Sequence, residues 1–216
     1  MRIESLRVST AAAVLCLATG FVAEASLAQD TKSFNGVYAG LGAASQNVWG
    51  GSFVDGTDVL AQDRRNIWEM SGGWRKQFGW FVAGAEVQVG LLDGDLSLAE
   101  PGSDLAVQYE NSRQFGFGLT AGASLGVARR WLAYVYAFES QRSFAVTVVN
   151  DERTFRQKDE QGFLRYGLGV ETRLTRGLHA RGTIGSYRVD FGDLITNIDV
   201  AGELEYTVGL VYQFGG

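Results

Sequence analysis

Residues capable of acid–base or metal chemistry are few in this sequence. His179 is the only histidine and Cys16 the only cysteine, so the usual ligands of a transition metal are missing. A hydrolytic site built on His179 would need a serine nucleophile and an acid beside it. The histidine is instead followed by Ala180 and Arg181, and no His-x-Ser motif occurs. We therefore predict no catalytic residue, no metal and no bound cofactor.

A second group of candidate residues is charged and lies within segments whose alternate residues are apolar. In a β-strand alternate side chains point to opposite faces, so these charges share the face opposite the apolar one. If that face lines a narrow barrel, the charges must pair, because an unpaired buried charge is costly. We expect one such pair between Arg181 and Glu171. The predicted lumen charge network comprises Glu69, Glu86, Glu139, Glu171, Glu205, Arg165, Arg173 and Arg181.

The alternation is clearest in the last segment of the chain, from Glu203 to Phe214. Only a strand separates residues of period two onto two faces. A barrel in a bacterial outer membrane needs this pattern, because its outside meets lipid and its inside does not. The apolar face carries Leu204, Tyr206, Val208, Leu210, Tyr212 and Phe214, and the opposite face is small or polar except for Val211.

Composition and the N-terminal residues indicate how such strands reach a membrane. The 216 residues fit one domain, and 29 glycines with a single proline suit a tightly curved sheet. The net charge of −5 argues against general nucleic-acid binding. Arg2 and Arg7, an apolar stretch and small residues ending at Ala28 are typical of a secretory signal. We predict a cleaved signal peptide over residues 1–28 and a barrel domain over 29–216.

Eight strands are predicted, and the connections between them alternate in length. The strands are expected near residues 34–44, 66–75, 80–92, 108–127, 131–149, 162–174, 178–188 and 203–214. Short connections fall at 76–79, 128–130 and 175–177, and the long ones are Gln46–Arg65, Asp93–Val107, Arg142–Gln161 and Val189–Gly202. Short periplasmic turns and long extracellular loops are typical of outer-membrane barrels. An even number of strands then puts both termini in the periplasm.

Aromatic residues gather at the end of the strands where the short turns are predicted. Indole and phenol rings favour the boundary between lipid and water, so this clustering predicts a periplasmic aromatic belt. A soluble barrel would not need its aromatic residues at one end. The strand alternation by itself does not say whether the apolar face points outward or inward. The belt residues are Trp74, Trp80, Trp131, Tyr212 and Phe214.

Taken together, these features resemble the eight-stranded outer-membrane barrel family that includes the OmpA transmembrane domain and the opacity-type porins. The first strand carries the aromatic-x-Gly-x-Tyr-x-Gly pattern of small alphaproteobacterial surface proteins, at Phe34, Gly36, Tyr38 and Gly40. The C-terminal strand resembles the family's assembly signal at Thr207, Gly209, Tyr212 and Phe214, although Gly215 and Gly216 follow the usual terminal aromatic.

The resemblance implies a non-enzymatic surface protein of the outer membrane that supports envelope integrity and makes contacts through its loops. Its implied partners are outer-membrane lipid and lipopolysaccharide, the barrel assembly machinery and a surface or host ligand. Because eight strands enclose a lumen just wide enough for side chains, a charged plug is favoured over an ion path. The alternatives are a narrow porin-like channel, a lipid A-modifying enzyme and a soluble lipocalin-like binder.

Overall fold

Nine β-strands account for nearly all of the described structure, a computed structural model covering residues 34–54, 57–92, 96–99, 106–126, 129–150, 153–189 and 204–214. The strands are β1 (Gly36–Val54), β2 (Thr57–Phe78), β3 (Phe81–Leu92), β4 (Leu96–Ala99), β5 (Ala106–Leu125), β6 (Trp131–Asn150), β7 (Arg153–Arg173), β8 (Leu178–Val189) and β9 (Leu204–Gln213). Within these ranges no helix has the length and apolar character needed to cross a membrane.

The eight long strands close into one antiparallel barrel. Each pairs with its neighbour in sequence, except that β3 pairs directly with β5 and β9 returns to pair with β1. The short β4 pairs with β5 above the wall of the barrel. Closure leaves no free edge around the wall. This is the all-β, eight-stranded up-and-down barrel that the sequence predicts.

The seam between β1 and β9 depends on close approach of two backbones. It runs from Tyr38 opposite Gln213 to Ser45 opposite Tyr206, with Gly42 facing Gly209 near its centre. A Cβ atom added at Gly209 would lie 2.5 Å from the carbonyl oxygen of Leu41. Glycine is therefore required at this point of the wall for the first and last strands to meet.

Large apolar side chains cover the outside of the barrel. Leu41, Trp68 and Val208 are each 67% exposed, whereas Glu69, the neighbour of Trp68, is 7% exposed. The apolar face therefore points outward, as a lipid environment requires. Other exposed members of this surface are Met70, Val89, Leu91, Phe115, Phe117, Leu119, Val135, Leu164, Leu168, Val170, Ile184 and Leu210.

The facing of β6 is the reverse of the prediction. Glu139 was expected inside, but it is exposed, and Tyr134, Tyr136 and Phe138 are buried in the lumen. Both faces of this strand are largely apolar, so alternation alone does not distinguish them. The inward glycines of the neighbouring strands decide the facing. A Cβ added at Gly169 would collide with the ring of Tyr134.

The connections at one end of the barrel are tight turns, as predicted. Gly79 between β2 and β3 and Gly177 between β7 and β8 have φ angles of 64° and 82°, which favour glycine. The residues predicted to form an aromatic belt lie at this end, which we call the short-turn end. All five are exposed, and the rings of Tyr212 and Phe214 are 5.1 Å apart, edge to face.

Two of the long connections at the other end are β-hairpins rather than loops. The predicted loop Gln46–Arg65 continues β1 and β2 in an unbroken register as far as Val54 opposite Thr57. The predicted loop Arg142–Gln161 likewise continues β6 and β7 as far as Asn150 opposite Arg153, which confirms the predicted extension of the fifth strand to residue 149. Beyond the lipid neither face has to be apolar, so the alternation fades while backbone pairing continues. We call these extensions the two long hairpins.

Several predicted features fall outside the described residues. These are the signal peptide over 1–28, the terminal residues 215–216, most of the loop Val189–Gly202, and residues 93–95 and 100–105 of the loop Asp93–Val107. Within that last loop the described part is the strand β4 and the first residues of β5.

Candidate functional site in the barrel lumen

Charged and amide side chains from the inward faces of the strands line the lumen. Each occupies the strand position between two outward residues, so the lipid-facing pattern also determines what points inward. In an eight-stranded barrel, side chains from opposite walls meet across the interior. The buried charged members are Glu69, Glu86, Glu171, Glu205, Arg75, Arg142 and Arg165, joined by Arg181, whose side chain is 10% exposed.

Glu171 is the centre of the cluster nearest the short-turn end. Arg75 donates to both of its carboxylate oxygens, at 2.7 and 3.0 Å. Arg181 on the adjacent strand β8 donates to it at 3.2 Å, which confirms the predicted pair. His179 places its Nδ1 atom 3.1 Å from the same carboxylate. Three basic side chains thus surround one fully buried carboxylate.

Glu86 links this cluster to the middle of the lumen. Arg181 reaches across from β8 and donates to Glu86 at 2.7 Å, and the Tyr38 hydroxyl donates to it at 2.6 Å. The Tyr38 ring lies between two guanidinium groups, 4.6 Å from that of Arg75 and 5.3 Å from that of Arg181. These contacts join β1, β2, β3, β7 and β8 through their side chains as well as through the wall.

Arg165 is the centre of a second cluster nearer the long hairpins. It donates to Glu205 at 3.0 Å and lies 3.4 Å from Glu69. The Tyr136 hydroxyl donates to Glu205 at 3.1 Å. Gln88 joins the two clusters, because it accepts from Arg165 and donates to Glu86, each at 2.8 Å.

A layer of amides lies above the second cluster. Gln46 from β1 and Gln114 from β5 lie 2.8 Å apart across the lumen, and Arg142 donates to Gln114 at 3.0 Å. The opposite orientation of the Gln46 amide places its nitrogen 3.1 Å from Glu205 and its oxygen against Arg142. Polar contacts therefore run without interruption from Arg75 near the short turns to Arg142 near the hairpins.

A small cavity of about 30 Å³ lies between the two clusters. Its lining includes Glu69, Gln88, Arg165, Arg181 and Thr207, the last of which has a buried hydroxyl without a protein partner. A polar space of this size accommodates one or a few water molecules.

The structure brings together most of the residues that the sequence singles out. Glu69, Glu86, Glu171, Glu205, Arg165 and Arg181 all belong to the two clusters described above. Arg173 is half-buried at the end of β7, two residues from Glu171. Glu139 is the exception, because it lies on the outward face of β6 beside Phe117 and Leu164.

Other members of the network were missed at the level of sequence. Arg75 shares the inward face of β2 with Glu69, so its position in the alternation was the available signal. Tyr38 occupies an inward position of β1, and Tyr136 is inward once the facing of β6 is known. For Gln46 no such signal existed, because it lies in a segment predicted to be a loop. Arg142 lies in the predicted extension of the fifth strand and shares the face of Tyr136, so it too is inward once the facing of β6 is known.

His179 is buried between an aromatic ring and a carboxylate. It is 1% exposed, and its ring lies edge-on to Phe34 with centroids 5.2 Å apart. Its ring nitrogen faces the carboxylate that also binds two arginines, and no serine is among the contacts found for it. Across the described residues there is no group of three or more His, Cys, Asp or Glu side chains placed to hold a metal.

The barrel fold agrees with the result of a family comparison. The model of the outer membrane protein beta-barrel domain matches residues 12–214. The chain belongs to this outer-membrane barrel family. Membership implies location in the outer membrane, and the lipid-facing surface described above is the physical counterpart of that location.

Solved structures that are similar to this chain include three with high coverage of both chains. Neisserial surface protein A is 11% identical, with a TM-score of 0.42 and coverage of 82% of this chain and 97% of that one. Ail, the attachment invasion locus protein of Yersinia pestis, is 11% identical, with a TM-score of 0.44 and coverage of 83% and 99%. The N-terminal barrel domain of Pseudomonas aeruginosa OprF is 13% identical, with a TM-score of 0.42 and coverage of 82% and 97%. No curated protein matches the chain.

Proposed function

We propose that the protein is a non-enzymatic surface barrel whose lumen is plugged by its own ion pairs. The observation that carries this proposal is the continuous chain of polar contacts from Arg75 to Arg142. Three of its arginines, Arg75, Arg165 and Arg181, each bind one or two carboxylates at 2.7–3.4 Å. Such buried pairs resist separation, because removing one partner leaves an uncompensated charge.

The proposal places both termini in the periplasm and the two long hairpins outside the cell. The aromatic residues at the short-turn end then meet the inner boundary of the membrane. The hairpins carry exposed charged residues such as Arg156 and Lys158, and they stand on a rigid wall. Loops on rigid scaffolds are the usual place for surface contacts, so we assign contact with lipopolysaccharide and surface ligands to this end.

Conductance measurements test the plug. Purified protein reconstituted in a planar bilayer should show no steady open level. Arg165→Ala removes the cation between Glu69 and Glu205 and should produce measurable ion current. Arg156→Ala is the matched control, because its partner Glu110 is on the outer surface and the arginine side chain is 67% exposed. A defined open level in the wild-type protein would support the channel alternative instead.

The absence of catalysis is tested separately. The buried position of His179 against Glu171 and Phe34 supports a structural histidine, since lipid substrate has no access to it there. We expect lipid A from a deletion strain to have the same mass spectrum as lipid A from the parent strain. A mass difference that is restored by the intact gene but not by His179→Ala would contradict the non-enzymatic proposal.

A further inference from the structure

The buried arginine nearest the long hairpins has an environment unlike those of the other three. Arg142 is 3% exposed, yet none of the described carboxylates lies within ion-pair distance of it, whereas Arg75, Arg165 and Arg181 each contact at least one. Its contacts are neutral: the Gln114 amide at 3.0 Å and the face of the Phe163 ring at 4.9 Å. A buried guanidinium with only neutral contacts is costly.

Three buried polar atoms have no hydrogen-bond partner here, one in the Arg142 side chain itself and two in residues next to it on the inward face. The Arg142 Nε–H group is buried without a hydrogen-bond partner, and so are the Ser140 hydroxyl and the Gln161 side-chain oxygen. Ser140 is the previous inward residue of β6, and Gln161 faces Arg142 directly on β7. An amide can be turned to present its NH₂ group instead of its oxygen. All three groups lie on inward positions and each of them can donate a hydrogen bond.

The lumen provides no charged acceptor for these donors. The route from Arg142 to Glu205 passes through the amide of Gln46, so that carboxylate is not in contact with the guanidinium. Towards the hairpins, the next inward residues of β6, Phe144 and Val146, are buried at 6% and 5% exposure. Apolar side chains of β6 therefore follow Arg142 on the side of the hairpins.

We propose that Arg142, Ser140 and Gln161 form a binding site for a small monovalent anion, of which chloride is the most available example. The anion accepts hydrogen bonds from the Arg142 Nε–H group and the Ser140 hydroxyl, and it places a negative charge next to a guanidinium whose other contacts are neutral. Hydrogen bonds to a charged group are the stronger kind, and they gain strength where water is excluded.

Crystals of the barrel grown or soaked in bromide give the direct test. The expected result is an anomalous peak within hydrogen-bond distance of Arg142 Nε, whereas a water molecule without anomalous signal would overturn the proposal. Because this measurement uses the wild-type protein, it does not depend on any variant folding.

Stability gives an independent readout. The heat-unfolding midpoint of the detergent-folded barrel is compared in chloride and in gluconate at equal ionic strength, because a ligand that binds only the folded state raises the midpoint. Chloride should raise the midpoint of the wild type and of Arg113→Gln, a control at an exposed position of β5. Arg142→Gln should abolish the difference between the two salts. A chloride effect that persists unchanged in Arg142→Gln would show that it arises elsewhere.

Discussion

The ion pair between Arg75 and Glu171 offers the sharpest test of how the lumen is stabilised. The two side chains are 3% and 0% exposed and share two hydrogen bonds. Arg75→Ala removes both of these bonds, together with a bond to Gln213 at 2.8 Å. Breaking a buried pair typically costs about 3–5 kcal/mol. Because Arg181 and His179 remain beside Glu171, we expect the lower end, about 3 kcal/mol.

A double-mutant cycle separates the pair from its surroundings. Glu171→Ala alone should be at least as costly, since it leaves Arg75 buried without its carboxylate. The double variant should then cost less than the sum of the single changes, by about 1–3 kcal/mol. The measurement is the free energy of unfolding of folded barrels in guanidinium chloride, with matched slopes.

The exposed pair of Arg156 and Glu110 is the control for this cycle. Its side chains are 67% and 25% exposed, so its coupling should stay below about 1 kcal/mol. Additivity of Arg75→Ala and Glu171→Ala to within about 0.5 kcal/mol would refute a coupled buried pair.

Three further predictions concern the wall and its assembly. The folded protein should migrate faster on SDS gels unheated than boiled, because a closed barrel has no free edge; equal migration would contradict closure. Gly169→Ala should destabilise the barrel by about 1–3 kcal/mol through overpacking, and Tyr134→Ala should relieve most of that loss; an unrelieved loss would place the clash elsewhere. Phe214→Ala should strongly lower assembly in cells but cost refolded barrels only about 1 kcal/mol, since the ring is 48% exposed. Deleting residues 215–216 is its control and should leave assembly intact, and normal assembly of Phe214→Ala would exclude a signal role.

The outer surface was the most predictable part of the molecule. Lipid requires every second residue of a membrane-spanning strand to be apolar. Strands such as β3, β5 and β9 could therefore be assigned from the alternation of apolar and polar residues alone. The same reasoning failed above the membrane, where neither face of Ser45–Val54 or of Arg153–Gln161 has to be apolar. These residues form strands because their backbones pair across a hairpin. Backbone pairing does not require a particular side-chain polarity, so the sequence shows no alternation there.

Partners inside the lumen could be predicted only where they are neighbours along the wall. Arg181 and Glu171 lie opposite each other on strands joined by a short turn, and their register follows from that turn. The contacts of Arg181 with Glu86 and of Arg75 with Glu171 cross the lumen instead, between residues 95 and 96 positions apart. Such contacts depend on the stagger of the whole barrel, which no single segment specifies.

The facing of β6 shows that side-chain volume can determine which face of a strand points inward when both faces are apolar. Tyr134 and Tyr136 project into space that three inward glycines of β7 and β8 leave empty, at Gly167, Gly169 and Gly185. A narrow lumen packed to the density of a protein interior requires large side chains opposite small ones. With small residues at these inward positions of β7 and β8, only a facing of β6 that turns its tyrosines inward fills the gap. The position of Glu139 then follows without reference to its charge, because it lies on the face of β6 opposite to Tyr134 and Tyr136, whose rings fill the lumen.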